Sequence, residues 1–210
     1  MTRILLLILY ILSASDLQAQ SNSFESSISD AAYYFNHISK DDQYPIALSQ
    51  FMVLSSRFPT EWLPKYYASL VQVKIALLNK VDMDAQADIA VDWINQCKQL
   101  QINDEILCAE SLVLTTKMQV NPSFRWLSYK DKIYTSLQKA KTINPNNPRI
   151  YVLEASLQYH LPKLLGGGCN KAMPLAKQAE KLLNLEVGKK KYLPSWGFTS
   201  IKEILTNCKS

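Results

Sequence analysis

Two histidines, four cysteines and one glycine-rich stretch are the residues of this chain that could do chemistry. His37 and His160 lie far apart, and neither has an acid at ligand spacing. Both read as polar surface or groove residues, and no metal site is expected. Gly166-Gly-Gly-Cys-Asn-Lys171 precedes a helix-length block, and helix N-termini offer unpaired N–H groups to anions. The stretch lacks the Gly-Lys-Ser/Thr ending of a phosphate loop, and no buried strand leads into it. A hairpin loop that needs positive φ is the better reading. No Gly-x-Ser-x-Gly, His-Glu-x-x-His or Cys/His nucleophile pattern occurs, so neither an enzyme nor a cofactor is expected.

The cysteines bear on compartment. Met1-Thr-Arg3 is a short positive region, Ile4 to Leu12 an apolar run, and Ser13 to Ala19 a small-residue cleavage site. That is the layout of a secretory signal peptide over residues 1–19, cleaved after Ala19. The apolar run is too short to span a bilayer, which takes about 20 residues. The mature chain, residues 20–210, is read as one exported domain without stable membrane insertion, periplasmic or secreted. An exported chain can form disulfides. Cys97 and Cys108 flank a turn near Gln101 to Asp104 at similar distances, which makes a bridge between them geometrically feasible. Cys169 and Cys208 could then pair and tie the C-terminal helix down. The alternative is that some are buried free thiols.

Composition points to an ordinary folded protein, with 48% apolar and 20% charged residues. The net charge of +5 is scattered among carboxylates, and the one dense basic run, Lys189-Lys190-Lys191, reads as a solvated loop. Nucleic-acid binding, which needs charge gathered on one face, is not expected. Glycine is scarce and no long β-branched alternation appears, which excludes a sandwich or barrel.

The elements that must position these residues are helices. Ile28–Ile38, Pro45–Arg57, Trp62–Leu78, Asp84–Leu100, Asp104–Met118, Phe124–Thr142, Arg149–Leu161 and Lys171–Leu185 each carry helical apolar spacing between turn signals. Pro194-Ser195 is expected to open a ninth helix that runs to Cys208. Asn144-Pro-Asn-Asn-Pro148 is the strongest turn signal. Small residues recur in the first helix of each hairpin, at Ala32, Ala68, Ala109 and Ala155. The second helices repeat a triplet spaced four and three apart: Ala47/Phe51/Leu54, Ala87/Val91/Ile94, Ile133/Leu137/Ala140 and Ala172/Ala176/Ala179. Small positions let helices approach closely while larger ones fill the neighbouring groove. One hairpin cannot bury its own apolar face, so stacking is expected.

This pattern resembles the tetratricopeptide repeat, best matched from Tyr134 to Arg149 and on through Tyr151 and Ala155. The match is degenerate. Its spacing is wider than the family's, and the early aromatic and glycine are mostly missing. The resemblance implies an all-α, right-handed α-hairpin solenoid of about four helical hairpins plus a C-terminal capping helix. It also implies a concave face lined by first helices. Carried over on the four alanines, that face nominates Tyr33, Asn36, His37, Trp62, Lys65, Ser69, Gln72, Glu110, Arg149, Ser156, Tyr159 and His160. The expected function is a non-catalytic exported scaffold that binds an unidentified protein or peptide. The alternative is a small-ligand-binding helical protein of the cell envelope, which would show an enclosed pocket of a few hundred Å³.

Overall fold

The computed structural model describes residues 23–78, 81–186, 188 and 190–208, and among them the chain is all-helical. The expected leader over residues 1–19 lies outside the described residues. Helix α1 covers residues 23–36. It is followed by α2 (Tyr44–Arg57), α3 (Leu63–Ala76), α4 (Met83–Leu100), α5 (Asp104–Gln119), α6 (Pro122–Ile143), α7 (Pro148–His160), α8 (Cys169–Leu185) and α9 (Phe198–Asn207).

Local chemistry sets the helix starts. Asp82 accepts from the amides of Asp84 and Ala85 at the head of α4, Asn103 from Ile106 at α5, and Asn147 from Arg149 at α7. Such caps satisfy amides that have no partner within the helix. Pro45, Pro64, Pro122 and Pro148 occupy first-turn positions of α2, α3, α6 and α7, where the missing N–H costs nothing. Sequential helices pack most heavily as the pairs α3 with α4, α5 with α6 and α7 with α8, and α9 lies on α7 and α8. Ala32, Ala68, Ala109 and Ala155 are 0% exposed, as small residues at helix crossings should be. Every triplet member is buried except the half-buried Val91.

The core falls into three clusters in chain order. The first runs from Ile28 to Val113 and contains Phe51 stacked on Tyr67 with ring centroids 5.0 Å apart. The second joins α5, α6 and α7 around Ile133, Leu137 and Ile150. The third joins α7, α8 and α9 around Ala176, Leu183 and Ile201. Burying one such aromatic or aliphatic side chain contributes about 1.5–3 kcal/mol.

The expected ninth helix starts later than Pro194-Ser195, at Phe198. Residues 190–197 form a non-helical strap instead, opening with a turn in which the Leu193 amide donates to the Lys190 carbonyl. Pro194 has no amide to donate, and Gly197 turns the chain with φ 115°, where a Cβ would come within 2.7 Å of Val152. The strap returns across the molecule to the first helices. Trp196 packs against all three core clusters, and its indole N–H donates to the Tyr66 hydroxyl at 2.8 Å. Tyr67 donates to the carbonyl of Tyr192 at 2.9 Å. Lys190 and the Tyr192 hydroxyl both reach Glu25 on α1, at 2.7 and 2.9 Å.

Cys169 and Cys208 form a disulfide with Cα atoms 5.3 Å apart, which joins the start of α8 to the end of α9. A bridge of this kind belongs to an oxidising compartment, in agreement with export. The Cys97–Cys108 bridge does not form, and both are buried free thiols. Similar distance from the turn was not enough, because the two side chains face different cores. Cys97 packs in the first cluster and donates to the Trp62 carbonyl, whereas Cys108 packs in the second.

Candidate functional site

The α7–α8 turn can be judged from its amides. The N–H groups of Gly166, Gly167 and Gly168 donate to Lys163, Pro162 and Gln158 carbonyls. A Cβ on Gly167 would sit 2.1 Å from the Leu161 carbonyl oxygen. These amides close the loop on itself, so they are not presented to an anion. The glycines serve backbone geometry, and the phosphate reading ends there.

The nominated groove residues separate into three groups. Ser69 and Gln72 face α4, bonding the Ala90 carbonyl and the Gln86 amide, and both are buried. The buried ammonium of Lys65 donates to the Pro59 and Glu61 carbonyls at 2.9 and 3.4 Å. Trp62 packs edge-on against Tyr66. Glu110 pairs with Lys98 and accepts from Ser136.

Arg149 is 2% exposed and is the hub of a buried ionic network. Its guanidinium donates to Glu105 on α5 at 2.8 and 3.0 Å and to Glu186, just past α8, at 2.5 and 2.8 Å. Burial alone would lower its pKa. The charge of Glu105 and the bonds to both carboxylates outweigh that and hold it above its ordinary value. Glu105 is pushed up by burial, with Arg149 opposing. Tyr66, whose hydroxyl reaches Glu105 at 3.2 Å, is also pushed up by burial. The network locks α5, α7, α8 and the strap together.

The second group lies at the far end of the chain. Ser156 and Tyr159 are half-buried, and Tyr159 accepts from Asn207. His160 is exposed and its Nδ1 is bonded to the Ser156 carbonyl at 2.8 Å.

The third group, Tyr33, Asn36 and His37, is exposed and borders open space. Tyr33 is 60% exposed, and its ring stacks on His37 with centroids 4.0 Å apart. The His37 Nδ1 is bonded to the Tyr33 carbonyl at 2.8 Å, which fixes the ring along α1. On one side of this pair lies an open groove of about 710 Å³ between α1 and α2. Its apolar wall is Ala31, Tyr34, Ile46, Val53 and Leu54. Ile46 and Val53 are exposed despite their chemistry. Gln50 also lines the groove, and its side-chain oxygen is buried with no hydrogen-bond partner among the described residues. On the other side of the pair, a smaller cavity of about 310 Å³ lies between α1 and the strap.

Sequence reasoning nominated the aromatic pair but missed the α2 wall, because Ile46 and Val53 sit on a second helix outside the imagined concave face. The excess of apolar residues on α2 beyond its triplet was the available signal.

The fold is therefore an all-helical one with an aromatic-walled open groove at its N-terminal end. It is similar to the solved structure of the HusA haemophore from Porphyromonas gingivalis, with a TM-score of 0.77 and 25% sequence identity. The likeness covers 89% of this chain and 92% of that one. No family model and no curated protein sequence matches the chain.

Proposed function

We propose that this protein is an exported, non-catalytic carrier of haem or a related tetrapyrrole, held in the α1–α2 groove. The observation that carries the reading is the likeness to a haemophore over almost the whole length of both chains. It favours the small-ligand alternative over the peptide scaffold, whose concave face would need Lys65, Ser69, Gln72 and Arg149 to be available. All four are buried and bonded internally. The periplasmic or secreted location and a degenerate, right-handed tetratricopeptide-like stacking of the hairpins belong to the same proposal.

The groove suits a flat, largely apolar ring. Its volume is in the range of small-molecule sites. Tyr33 and His37 offer stacked faces, and offset stacking contributes about 0.5–1.5 kcal/mol per ring pair. Ile46 and Val53 supply apolar surface that a bound ring would cover, at roughly 25 cal/mol per Å². Both aromatic residues are on the surface, so replacing them should leave the fold intact.

A Tyr33→Ala/His37→Ala double variant is expected to bind haemin at least tenfold more weakly, with an unchanged helical circular dichroism spectrum. Haemin binding equal to that of the unsubstituted protein would remove the groove from consideration.

A further inference from the structure

The smaller cavity, between α1 and the strap, shares the stacked Tyr33–His37 pair with the groove, so a molecule lying against that pair can reach both spaces. Its walls are chemically different. Leu193 and Pro194 border it with apolar residues, and Asn36, Lys191 and Ser195 border it with polar ones.

The charges around it can be followed one by one. Lys190 is paired with Glu25 and lies over the Tyr192 ring. Glu186 also lines the cavity, but its carboxylate is bound to the Arg149 guanidinium. Lys191 makes no ion pair with any described residue. Nor do Asn36 and Ser195 make a side-chain hydrogen bond to one. The cavity therefore gathers an ammonium, an amide and a hydroxyl, all with donors to offer. An ionised carboxylate is an acceptor only, with two oxygens to satisfy. Charge-assisted bonds of this kind are the shorter and stronger ones.

We propose that this cavity is the carboxylate subsite of the ligand site. Lys191, aided by Asn36 and Ser195, holds the acidic side chains of the tetrapyrrole whose ring rests on Tyr33 and His37. The proposal rests on the reading under Proposed function. It adds a chemical preference to it, namely acidic porphyrins over esterified ones. It also gives the strap a part in binding, since Lys191 and Ser195 both lie at or within it.

The test is a fluorescence titration of the mature chain with iron-free protoporphyrin and with its dimethyl ester, using the unsubstituted protein, Lys191→Ala and Lys191→Glu. The diacid should bind about two- to fivefold more weakly to Lys191→Ala, as expected for one exposed charged contact, and more weakly still to Lys191→Glu. The ester should bind all three alike. If the unsubstituted protein binds the porphyrins but the Lys191 variants weaken both ligands equally, or neither, the carboxylate subsite is overturned and the carrier reading stands. If the unsubstituted protein binds haemin but neither iron-free porphyrin, the carboxylate subsite is overturned and the carrier reading stands; if it binds none of the three, both fall.

Discussion

Arg149 is almost fully buried and binds two carboxylates through one guanidinium. A tetratricopeptide alignment sends this residue into a groove. In the folded chain it is the buried hub that holds Glu105 and Glu186, the first of them 44 positions away. Truncating one partner of a buried ionic network leaves the others charged and unpaired, at a cost of about 3–5 kcal/mol. Arg149→Ala should lower stability by that order in urea unfolding, with loss of helical signal at correspondingly lower urea. A change within a few tenths of a kcal/mol would mean that the network is not built as described. Lysine is no substitute here, since only the planar guanidinium can serve both carboxylates at once. The two free cysteines are also core residues. Burial pushes the Cys97 thiol up to about 12 and Cys108 well above its ordinary value, so neither is a reactive thiolate at neutral pH. Labelling of unfolded, unreduced protein should therefore find two thiols, rising to four after reduction. Four before reduction would remove the Cys169–Cys208 bridge.

Elements in this chain are held at their ends as much as along their faces. Asp84, in the first turn of α4, receives both terminal nitrogens of Arg125 on α6 at 2.7 Å and the ammonium of Lys117 on α5 at 3.0 Å. The hydrogen bonds from Arg125 and Lys117 hold its carboxyl well below the ordinary 3.8. The unfolded chain therefore takes up the proton first. The contribution of this clasp is intact above about pH 4 and is lost as the pH falls below it. Asp84→Asn should flatten the acid limb of the stability profile and leave its slope near neutrality unchanged. An unaltered acid limb would mean the clasp is screened by solvent. At the other end of the chain, the short α9 buries Ile201, Ile204 and Leu205 and is tied to the start of α8 by the disulfide. Closing a loop of sequence separation 39 contributes about 4 kcal/mol in the chain-entropy model. The helix boundaries were largely legible, because apolar spacing, proline and Asn/Asp caps act locally. The strap was not. Residues 190–196 have no periodicity, and their partners Glu25, Tyr66 and Tyr67 are more than a hundred residues away.

For the whole molecule, repeated small residues and triplets were enough to read an all-helical chain, since each helix carries its own apolar face. They could not show what fills the space those helices surround. Tyr192 and Trp196 return to the first core cluster, and Trp196 touches all three. The N-terminal groove beside Tyr33 and His37 is open, with Ile46 and Val53 exposed along its wall. Half of the site was therefore visible as residues on α1. The other half depends on α2 and the strap meeting them, which only the folded chain provides. The central claim is that this groove carries a tetrapyrrole, and the direct measurement is an absorbance titration of haemin with the mature protein. The account predicts a saturable change in the Soret band at about one ligand per chain, for a single groove of this size. A spectrum that stays that of free haemin at all protein concentrations would contradict it.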